Sequence, residues 1–459
     1  MRKIPISIAT LCMLVLGLAV PLSAQPAPDR GPCEQITAAC QGAGFTPGGA
    51  RTGTGLQADC IVPIMQGEPQ PRQARNPLPQ VDPQLVADCK ASNPRFGRGN
   101  APPSAAPAQA SPASPPPCAS SDDTIPSGLA VVLPSGRYHS LNLQALNNVF
   151  MSGVAVQINW RDIEPVEGKP DWSSLDELFA AAESSKKWVQ LAIFPGFFSP
   201  AWALDGAKTD LFAIPYGPGH GTVARLPMPW DRVYLDRWLA FVKQLSERYA
   251  RSPAFRMIAA AGPTSVSEEM TLPVSPPAIR KWLDDSYTPA KYLGAWQTVF
   301  QVYADSFANQ CVSLAGPGLP ILAQGRIIDR PAHLRARQEI IDQALRVFRH
   351  RLAIQSNDLH AGHAPVEAPD YTDFINSYSG RIITGFEMRG GSHGPIPSKI
   401  MGAEGNPPLA LRRSIDKGMA ANDAGRHVNY LQIYEGDVLA ADMQPVLQYA
   451  ASLFRRSHP

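Results

Sequence analysis

Short apolar runs alternate with amphipathic stretches from residue 125 almost to the end of the chain. The runs are rich in Val, Ile, Leu and Ala and carry few charges, which is typical of strands buried on both faces of a parallel sheet. The predicted strands are Gly128–Leu133, Val154–Trp160, Trp188–Phe194, Arg256–Ala261, Cys311–Ala315, Leu352–Gln355, Ile382–Glu387 and Val428–Tyr434.

The stretches between these strands have the periodicity of helices. In Tyr234–Tyr249, apolar residues recur at every third or fourth position, as in a helix that packs one face on a core. The predicted helices are Leu143–Met151, Leu175–Ser184, Tyr234–Tyr249, Tyr292–Phe307, His333–Phe348, Tyr371–Tyr378, Leu409–Ala424 and Met443–Phe454. Strands that alternate with helices in this number predict an α/β protein, a (β/α)8 TIM barrel over residues 125–457. No glycine-rich phosphate loop follows the first strand, which disfavours a nucleotide-binding open sheet.

Two connections between a strand and the following helix are long. They cover Phe198–Arg232 after the third strand and Thr264–Lys291 after the fourth. In a barrel such connections emerge at the C-terminal ends of the strands, where active sites are built, and long loops there form clefts or lids. The first connection contains Tyr216 and Trp230, whose aromatic side chains suit either a carbohydrate cleft or a buried cluster.

The first 122 residues differ from the barrel in composition. Basic residues precede an apolar run over residues 8–20, and small residues before Gln25 offer a cleavage site, so residues 1–24 are predicted to be a secretory signal peptide. An uncleaved anchor is the alternative, and no later segment is apolar enough to span a membrane. Residues 98–122 are mostly Ala, Pro and Ser, which predicts a disordered linker. Residues 31–97 between them form a small cysteine-rich module.

Cysteine usage favours an exported protein, periplasmic or extracellular. Of the seven cysteines, one lies in the predicted signal peptide and four lie in the module. Disulfides persist outside the cytosol and stabilise modules that are too small for a large core. Three pairings are open for the four cysteines of the module, Cys33, Cys40, Cys60 and Cys89. Zinc binding is disfavoured, because the first two of these are farther apart in the sequence than zinc ligands usually are.

Two further cysteines, Cys118 and Cys311, remain outside the module. A bridge between them would tie the end of the linker to the start of the fifth predicted strand. It requires Cα atoms within about 7 Å of each other.

Charge excludes one class of partner. The formal net charge is +2 and 17% of residues are charged, so the chain lacks the basic excess of a nucleic-acid-binding protein. Of the 47 prolines, many lie before residue 120, and those in the barrel mark strand ends. We expect a monomer.

The segment after the second strand carries a motif. Trp160, Glu164, Pro165 and Gly168 fit the pattern Trp-x-x-x-Glu-Pro-x-x-Gly, and an aromatic residue and a Leu-Asp pair follow. This segment resembles the glycoside hydrolases of the large retaining (β/α)8 clan, and the module of residues 31–97 resembles small cysteine-bearing modules at the front of uncharacterised bacterial exported proteins. In such enzymes the glutamate of this motif is mostly structural. The resemblance implies a carbohydrate, either an oligosaccharide or a polysaccharide, as the partner.

The resemblance also implies two catalytic carboxyl groups. One serves as acid and base and the other as nucleophile, and in this clan they follow strands four and seven. On this chain the positions fall on Glu269, or its neighbour Glu268, and on Glu387. Glu269 is preferred because the segment Ser267–Pro273 resembles the end of strand four in uncharacterised exported barrel proteins.

The chain departs from the clan pattern at two positions. Most members have an asparagine directly before the strand-four glutamate, where this chain has Ser267 or Glu268, and a tyrosine after strand six, where this chain has Asn357. A non-catalytic protein that binds carbohydrate or the cell envelope on a degenerate barrel is therefore the alternative function.

In that alternative, the two carboxyl groups would form ion pairs instead of reacting. Glu269 and Glu387 would pair with Arg161 and Arg389, which would hold their pKa values low and make them unsuited to act as acids.

Other side chains at the predicted strand ends are candidates for substrate binding. They are Trp160, Arg161, Trp202, Glu268, Asn357, His360, Arg389 and Glu435. Glu435 has two other interpretations, replacement of Glu387 or a cation site with Asp437, although two carboxylates are weak evidence for a metal. The motifs of serine and zinc hydrolases are absent, and we predict no metal and no cofactor.

Overall fold

The structure is a computed structural model of the 459-residue chain. It describes residues 31–46, 53–67, 69–71, 74–93, 96–97, 118, 121, 124–321, 330–362, 371–393, 403 and 405–457. The predicted signal peptide and almost all of the predicted linker lie outside the described residues. The chain divides into two compact units, residues 1–112 and residues 113–459.

The N-terminal unit consists of short helices around two disulfides. Its helices are Pro32–Gly42, the π-helix Leu56–Ile61, Val62–Gln66 and Pro83–Ser92. Cys33 pairs with Cys89 and Cys40 pairs with Cys60, which decides among the pairings that the sequence left open. Both bridges reduce the number of conformations open to the unfolded chain and so stabilise a unit whose apolar core is small.

Eight parallel strands of the second unit close into a barrel. In order they are Gly128–Leu133, Met151–Asn159, Trp188–Phe194, Phe255–Ala259, Cys311–Ala315, Leu352–Leu359, Ile383–Met388 and Tyr430–Tyr434, and we number them as the first to eighth barrel strands. The first barrel strand pairs in parallel with both the second and the eighth, which closes the sheet. The predicted (β/α)8 fold is confirmed, with some strand ends shifted.

Helices follow the strands along the chain. In the described part of this unit the α-helices are Trp160–Ile163, Ser173–Ser184, Arg232–Tyr249, Pro276–Asp284, Pro289–Ser306, Arg330–Phe348, Tyr371–Asn376, Pro407–Gly418, Glu435–Leu439 and Gln444–Ser457. Helix Arg232–Tyr249 buries Leu235, Trp238 and Val242, as its periodicity predicts. No helix among the described residues is both long enough and apolar enough to cross a membrane.

One predicted helix, Leu143–Met151, is wrong. Only a short 3-10 helix, Leu143–Asn147, forms there, and Met151 already begins the second barrel strand. Asn148 explains the break, because its side chain accepts a hydrogen bond from the backbone N–H of Phe150 at 2.9 Å. Such local bonds compete with the hydrogen bonds of a helix.

The long connection after the third barrel strand contains a β-hairpin that the sequence analysis did not predict. Its strands, Thr209–Ala213 and Val223–Pro227, pair antiparallel. We call residues 209–227 the hairpin. The turn between its strands contains Tyr216, and the next residue, Gly217, has a φ of +74°, a conformation that glycine adopts without strain.

The inside of the barrel contains a buried polar network. Gln190, Gln355 and Gln432 come from the third, sixth and eighth barrel strands, which are not neighbours, so their amides meet across the interior. Gln190 also donates to the Ser313 hydroxyl at 3.0 Å, and the Tyr430 hydroxyl donates to Gln355 at 2.7 Å. Each of these buried amides therefore has hydrogen-bond partners, which offset the free-energy cost of burying it.

A third disulfide lies at the N-terminal end of the barrel strands. Cys118 pairs with Cys311, and their Cα atoms are 5.2 Å apart, within the limit that the sequence analysis set. The two cysteines are buried together with Met257, Ala353 and Tyr430. The bridge thus joins the segment before the first barrel strand to the start of the fifth.

Candidate active site

A cavity of about 660 Å³ lies at the C-terminal ends of the barrel strands. Its lining includes four carboxyl groups, those of Glu268, Glu269, Asp358 and Glu387, together with the guanidinium of Arg389. Other lining side chains that bear on the chemistry are Gln157, Tyr216, Ser267, Thr271, Asn357 and Tyr434. The position agrees with the rule that barrel active sites form at this end.

Glu387 lies near the end of the seventh barrel strand and is 3% exposed. The hydroxyl of Tyr434, at the end of the eighth strand, donates to its Oε1 at 2.7 Å. The amide of Gln157, on the second strand, donates to Oε1 at 2.9 Å and to Oε2 at 3.1 Å. Donors on both oxygens stabilise the charged form of a carboxyl group.

Glu268 follows the fourth barrel strand and is 1% exposed. The amide of Asn357, on the sixth strand, donates to its Oε1 at 2.8 Å, and Asn357 is itself held by Gln355 at 2.6 Å. Its Oε2 is buried and has no hydrogen-bond partner among the described residues. Burying a charged carboxylate oxygen without a hydrogen-bond donor costs free energy, and protonation of that oxygen lowers the cost.

The two carboxyl groups have perturbed acidities. Burial raises the pKa of Glu268, and the charge of Glu269 raises it further. Burial raises the pKa of Glu387 as well, and the charge of Glu268, which lines the same cavity, raises it further. Two buried carboxyl groups that repel each other retain a proton to a higher pH than an ordinary glutamate does.

Glu269 has different surroundings. The Tyr216 hydroxyl donates to its Oε2 at 3.1 Å, and the Ser267 hydroxyl donates to the same oxygen at 3.2 Å. Burial raises its pKa, and the charged groups that influence it most are Asp358 and Arg337 rather than Glu387. The side chain therefore connects the loop after the fourth barrel strand to the hairpin.

Arg389 and His360 lie beside the cavity, as the sequence analysis expected. Arg389 forms an ion pair with Asp358 at 3.3 Å, and its guanidinium lies 3.5 Å from the Nε2 atom of His360. Arg389 therefore pairs with Asp358 and not with either catalytic candidate. Arg161 lies 4.0 Å from Asp162, so neither ion pair of that alternative forms among the described residues, and burial raises the pKa of both Glu269 and Glu387.

The tryptophans proposed for the pocket lie in the core instead. Trp160 is fully buried and begins a short helix that turns away from the strand end, and its ring packs 5.1 Å from that of Trp238. Its indole N–H donates to the Glu164 carboxylate at 3.1 Å, and Trp202 donates to the backbone carbonyl of Glu164 at 2.9 Å. Glu164 also accepts from the backbone N–H of Gly168, so it ties down a turn.

Arg161 and Glu435 are two further candidates that do not line the cavity. The Arg161 guanidinium lies 5.1 Å from the centre of the Phe198 ring. Glu435 is paired with Arg137. In the described part of the chain, no three His, Cys, Asp or Glu side chains lie together in a way that could hold a metal ion.

The sequence analysis missed two residues of the site, Gln157 and Tyr434. Gln157 is a polar residue inside the apolar run of the second barrel strand, and this break in the pattern was a usable signal. Tyr434 is 47 residues from Glu387 in the chain, and only the pairing of neighbouring strands brings the two together.

Comparison with protein families agrees with this geometry. Residues 141–308 match the family Glyco_hydro_42, described as beta-galactosidase. This segment holds the second to fourth barrel strands and includes Gln157 and Glu268. The match covers 168 of the 459 residues, so it shows a resemblance to this family. No curated protein sequence matches the chain.

Several solved structures are similar to the chain at low sequence identity. An exo-beta-1,4-mannosidase from Opitutaceae bacterium strain TAV5 is 12% identical, with 72% of this chain and 60% of that chain covered and a TM-score of 0.42. A beta-galactosidase from the psychrophilic Marinomonas ef1 is 13% identical, with 71% and 59% covered and a TM-score of 0.44. Xylanase 10B from Thermotoga maritima is 9% identical, with 72% and 96% covered and a TM-score of 0.43. The chain spans about three fifths of the mannosidase and of the galactosidase, and matches at these scores carry no argument about substrate.

Proposed function

We propose that the barrel hydrolyses a β-glycosidic bond with retention of configuration, with Glu268 as the acid/base and Glu387 as the nucleophile. The observation that carries this proposal is the unequal hydrogen bonding of two buried carboxyl groups that influence each other. Glu387 accepts bonds on both oxygens, which favours the charge that a nucleophile needs. Glu268 has one oxygen without a partner among the described residues, which favours a proton there.

The reaction then takes two steps. The carboxylate of Glu387 attacks the anomeric carbon while Glu268 gives its proton to the leaving oxygen, and the glycosidic bond breaks. In the second step Glu268, now a carboxylate, takes a proton from water, and the resulting hydroxide attacks the anomeric carbon. The bond to Glu387 breaks, and both carboxyl groups return to their starting states.

We assign the acid to Glu268 rather than Glu269, the residue that the sequence analysis preferred. A catalytic acid must carry a proton, and each hydrogen-bond donor to its carboxyl group disfavours the protonated form. Glu269 instead accepts two hydrogen bonds on one oxygen from Tyr216 and Ser267. The strongest charge influence on Glu387 also comes from Glu268.

The two departures from the clan pattern have counterparts in this arrangement. Asn357 donates to Glu268 from the sixth strand, and Tyr434 donates to Glu387 from the eighth strand. One asparagine and one tyrosine thus hold the two carboxyl groups, although they stand at different strands. The alternative of a degenerate, non-catalytic barrel loses its main support.

We further propose that the protein is exported and acts as a monomer. The pattern of residues 1–24 and the three disulfides support export. Amino-terminal sequencing of the protein recovered from a secreting host tests this, and a mature chain that starts before residue 25 would contradict cleavage at the predicted site.

The experiment that tests the activity is a panel of aryl β-glycosides and β-linked polysaccharides, headed by β-galactosides because the family description names beta-galactosidase. Wild type is compared with Glu387→Gln, and Glu435→Gln serves as a matched control at the same end of the barrel. We expect wild type and the control to hydrolyse at least one substrate. The sugar that is released first should have the same anomeric configuration as the substrate. Carbohydrate binding without hydrolysis by wild type would favour the non-catalytic alternative.

A further inference from the structure

An aromatic ring at the tip of the hairpin lines the same cavity as the catalytic pair. Tyr216 is 42% exposed, which is high for a large side chain that contributes to a cavity wall. Gly217 and Pro218, which follow it in the turn, also line the cavity. The hairpin therefore presents an uncovered aromatic face to the space in which the substrate reacts.

The ring is held in place at its hydroxyl end. The hydroxyl donates to Glu269 at 3.1 Å and lies 3.0 Å from the hydroxyl of Thr271, which can donate to it in return. Ser267 in turn donates to Glu269. Glu269, Thr271 and Ser267 all belong to the loop after the fourth barrel strand, so these hydrogen bonds attach the ring of the hairpin to that loop.

The anchor defines which side of the cavity the ring occupies. Glu269 adjoins Glu268, the proposed acid, in the chain. Glu387 is held from the eighth barrel strand by Tyr434, and in the closed eight-strand order the fourth and eighth strands lie opposite each other. Tyr216 is therefore on the side of the acid, toward which the leaving group departs.

We propose that Tyr216 is the stacking platform of a subsite for the leaving group, and that the leaving group is itself a sugar ring. The substrate class is then an oligosaccharide or polysaccharide rather than a glycoside of a small alcohol. This inference rests on the proposed function, because it uses Glu268 to define the leaving side. Glu269 becomes a positioning residue that anchors the platform.

The chemistry of the cavity agrees with this class. One face of a pyranose ring presents C–H groups, which pack against an aromatic face, while its hydroxyls require hydrogen-bonding groups. A volume of about 660 Å³ lies within the ~300–1,000 Å³ of typical ligand sites and exceeds that of a single sugar ring. The cavity thus has room for a ring beyond the one that reacts, and Tyr216 forms part of its wall.

The test compares two substrates with the same reacting sugar. A β-glycosyl fluoride has no ring on the leaving side, whereas a β-linked trisaccharide has one. For Tyr216→Ala we expect kcat/KM on the trisaccharide to fall about tenfold, and on the fluoride by less than about twofold, because only the first substrate uses the platform. Equal losses on both substrates, or no loss on either, would overturn the proposal.

Two control variants separate the ring from the fold of the hairpin. Tyr216→Phe keeps the ring but removes the hydroxyl that anchors it to Glu269, so its loss on the trisaccharide should be smaller than that of Tyr216→Ala. Val223→Ala changes another exposed residue of the same hairpin and should behave as wild type. A loss in Val223→Ala as large as in Tyr216→Ala would assign the effect to the hairpin fold and overturn the platform.

A binding measurement keeps the inference testable if no substrate is hydrolysed. Calorimetry compares trisaccharide binding to Glu387→Gln with binding to the double variant that also carries Tyr216→Ala. A Kd about tenfold weaker in the double variant supports the platform, whatever the outcome of the activity panel. Equal Kd values, or no binding to either protein, contradict it, whereas failure of the panel alone contradicts only the proposed hydrolysis.

Discussion

Glu387 and Glu268 are the same residue type, both are buried, and both face one cavity, yet their surroundings differ. Glu387 accepts hydrogen bonds on both oxygens from two side chains that regular strands hold in place. Glu268 lies in a loop, accepts one bond from Asn357, and has an oxygen without a partner among the described residues. In the proposed mechanism, the number of donors around a carboxyl group, rather than its burial, distinguishes the nucleophile from the acid.

The largest effects should come from removing each carboxyl group in turn. Glu387→Gln should lose at least about 10³-fold in kcat on every substrate, because no covalent intermediate can form. Glu268→Gln should lose about 10²–10⁴-fold on substrates with a sugar leaving group and far less on dinitrophenyl glycosides, whose leaving group needs no proton. Steady-state kinetics on both substrate types measures the contrast.

Glu269→Gln is the matched control for this contrast, since it removes the adjacent carboxyl group. We expect no dependence on the leaving group's acidity in this variant. If Glu269→Gln shows that dependence and Glu268→Gln does not, the acid is Glu269 and the comparison of the two carboxyl groups fails.

The next largest effect should come from removing the Tyr434 hydroxyl, a hydrogen-bond donor to Glu387 that has no counterpart at Glu268. Tyr434→Phe removes the hydroxyl at 2.7 Å and should lower kcat about 10–100-fold, the value of a hydrogen bond to a charged group. Tyr449→Phe is the control, because the Tyr449 hydroxyl donates to Asp416 at the same distance but does not line the cavity. Similar losses in both variants would point to stability rather than to the nucleophile.

A smaller effect is expected on the acid. The Asn357 amide stabilises the charged form of Glu268, so Asn357→Ala should raise the pKa of Glu268 still further. The basic limb of the profile of kcat/KM against pH should then move to higher pH, by about one unit for ~1.4 kcal/mol of lost stabilisation. A limb that stays in place would show that Asn357 does not act on the acid.

The smallest effect is on stability. Both carboxyl groups have pKa values that folding raises, so the folded state holds more protons than the unfolded state above the ordinary pKa of glutamate. Their stabilising contribution is present below that pKa and is lost as pH rises through the raised pKa values. Wild type should therefore lose stability from about pH 4.5 toward pH 8, and Glu387→Gln should be about 1 kcal/mol more stable than wild type at pH 8. Urea unfolding at several pH values measures this, and parallel curves for the two proteins would contradict it.

The barrel could be predicted because its strands are apolar runs that alternate with helices, and the Cys118–Cys311 bridge could be tested by the distance between its Cα atoms. The hairpin could not be predicted, since charged residues interrupt its strands and apolar residues such as Leu211 and Val223 are exposed. A usable signal was the glycine-rich turn after Tyr216.

For a related reason, the sequence could not show which of Glu268 and Glu269 is placed to act as the acid. In a strand, the alternation of side chains decides which of two neighbours faces inward. These two residues lie in an irregular loop after the fourth barrel strand, where no period applies. Trp160 was misplaced similarly, because the strand ends one residue earlier and the chain turns into a helix.

The bridge between Cys118 and Cys311 makes a covalent ring of the intervening chain, whose ends are 193 positions apart. The ring contains the first four barrel strands, the hairpin and Glu268, whereas Glu387 lies outside it. A protease that cuts the exposed hairpin would open the ring without releasing a fragment, because both new ends stay linked through the fifth barrel strand. The piece with the first three barrel strands, which carries Gln157, would stay covalently joined to the piece that carries Glu268 and Glu387.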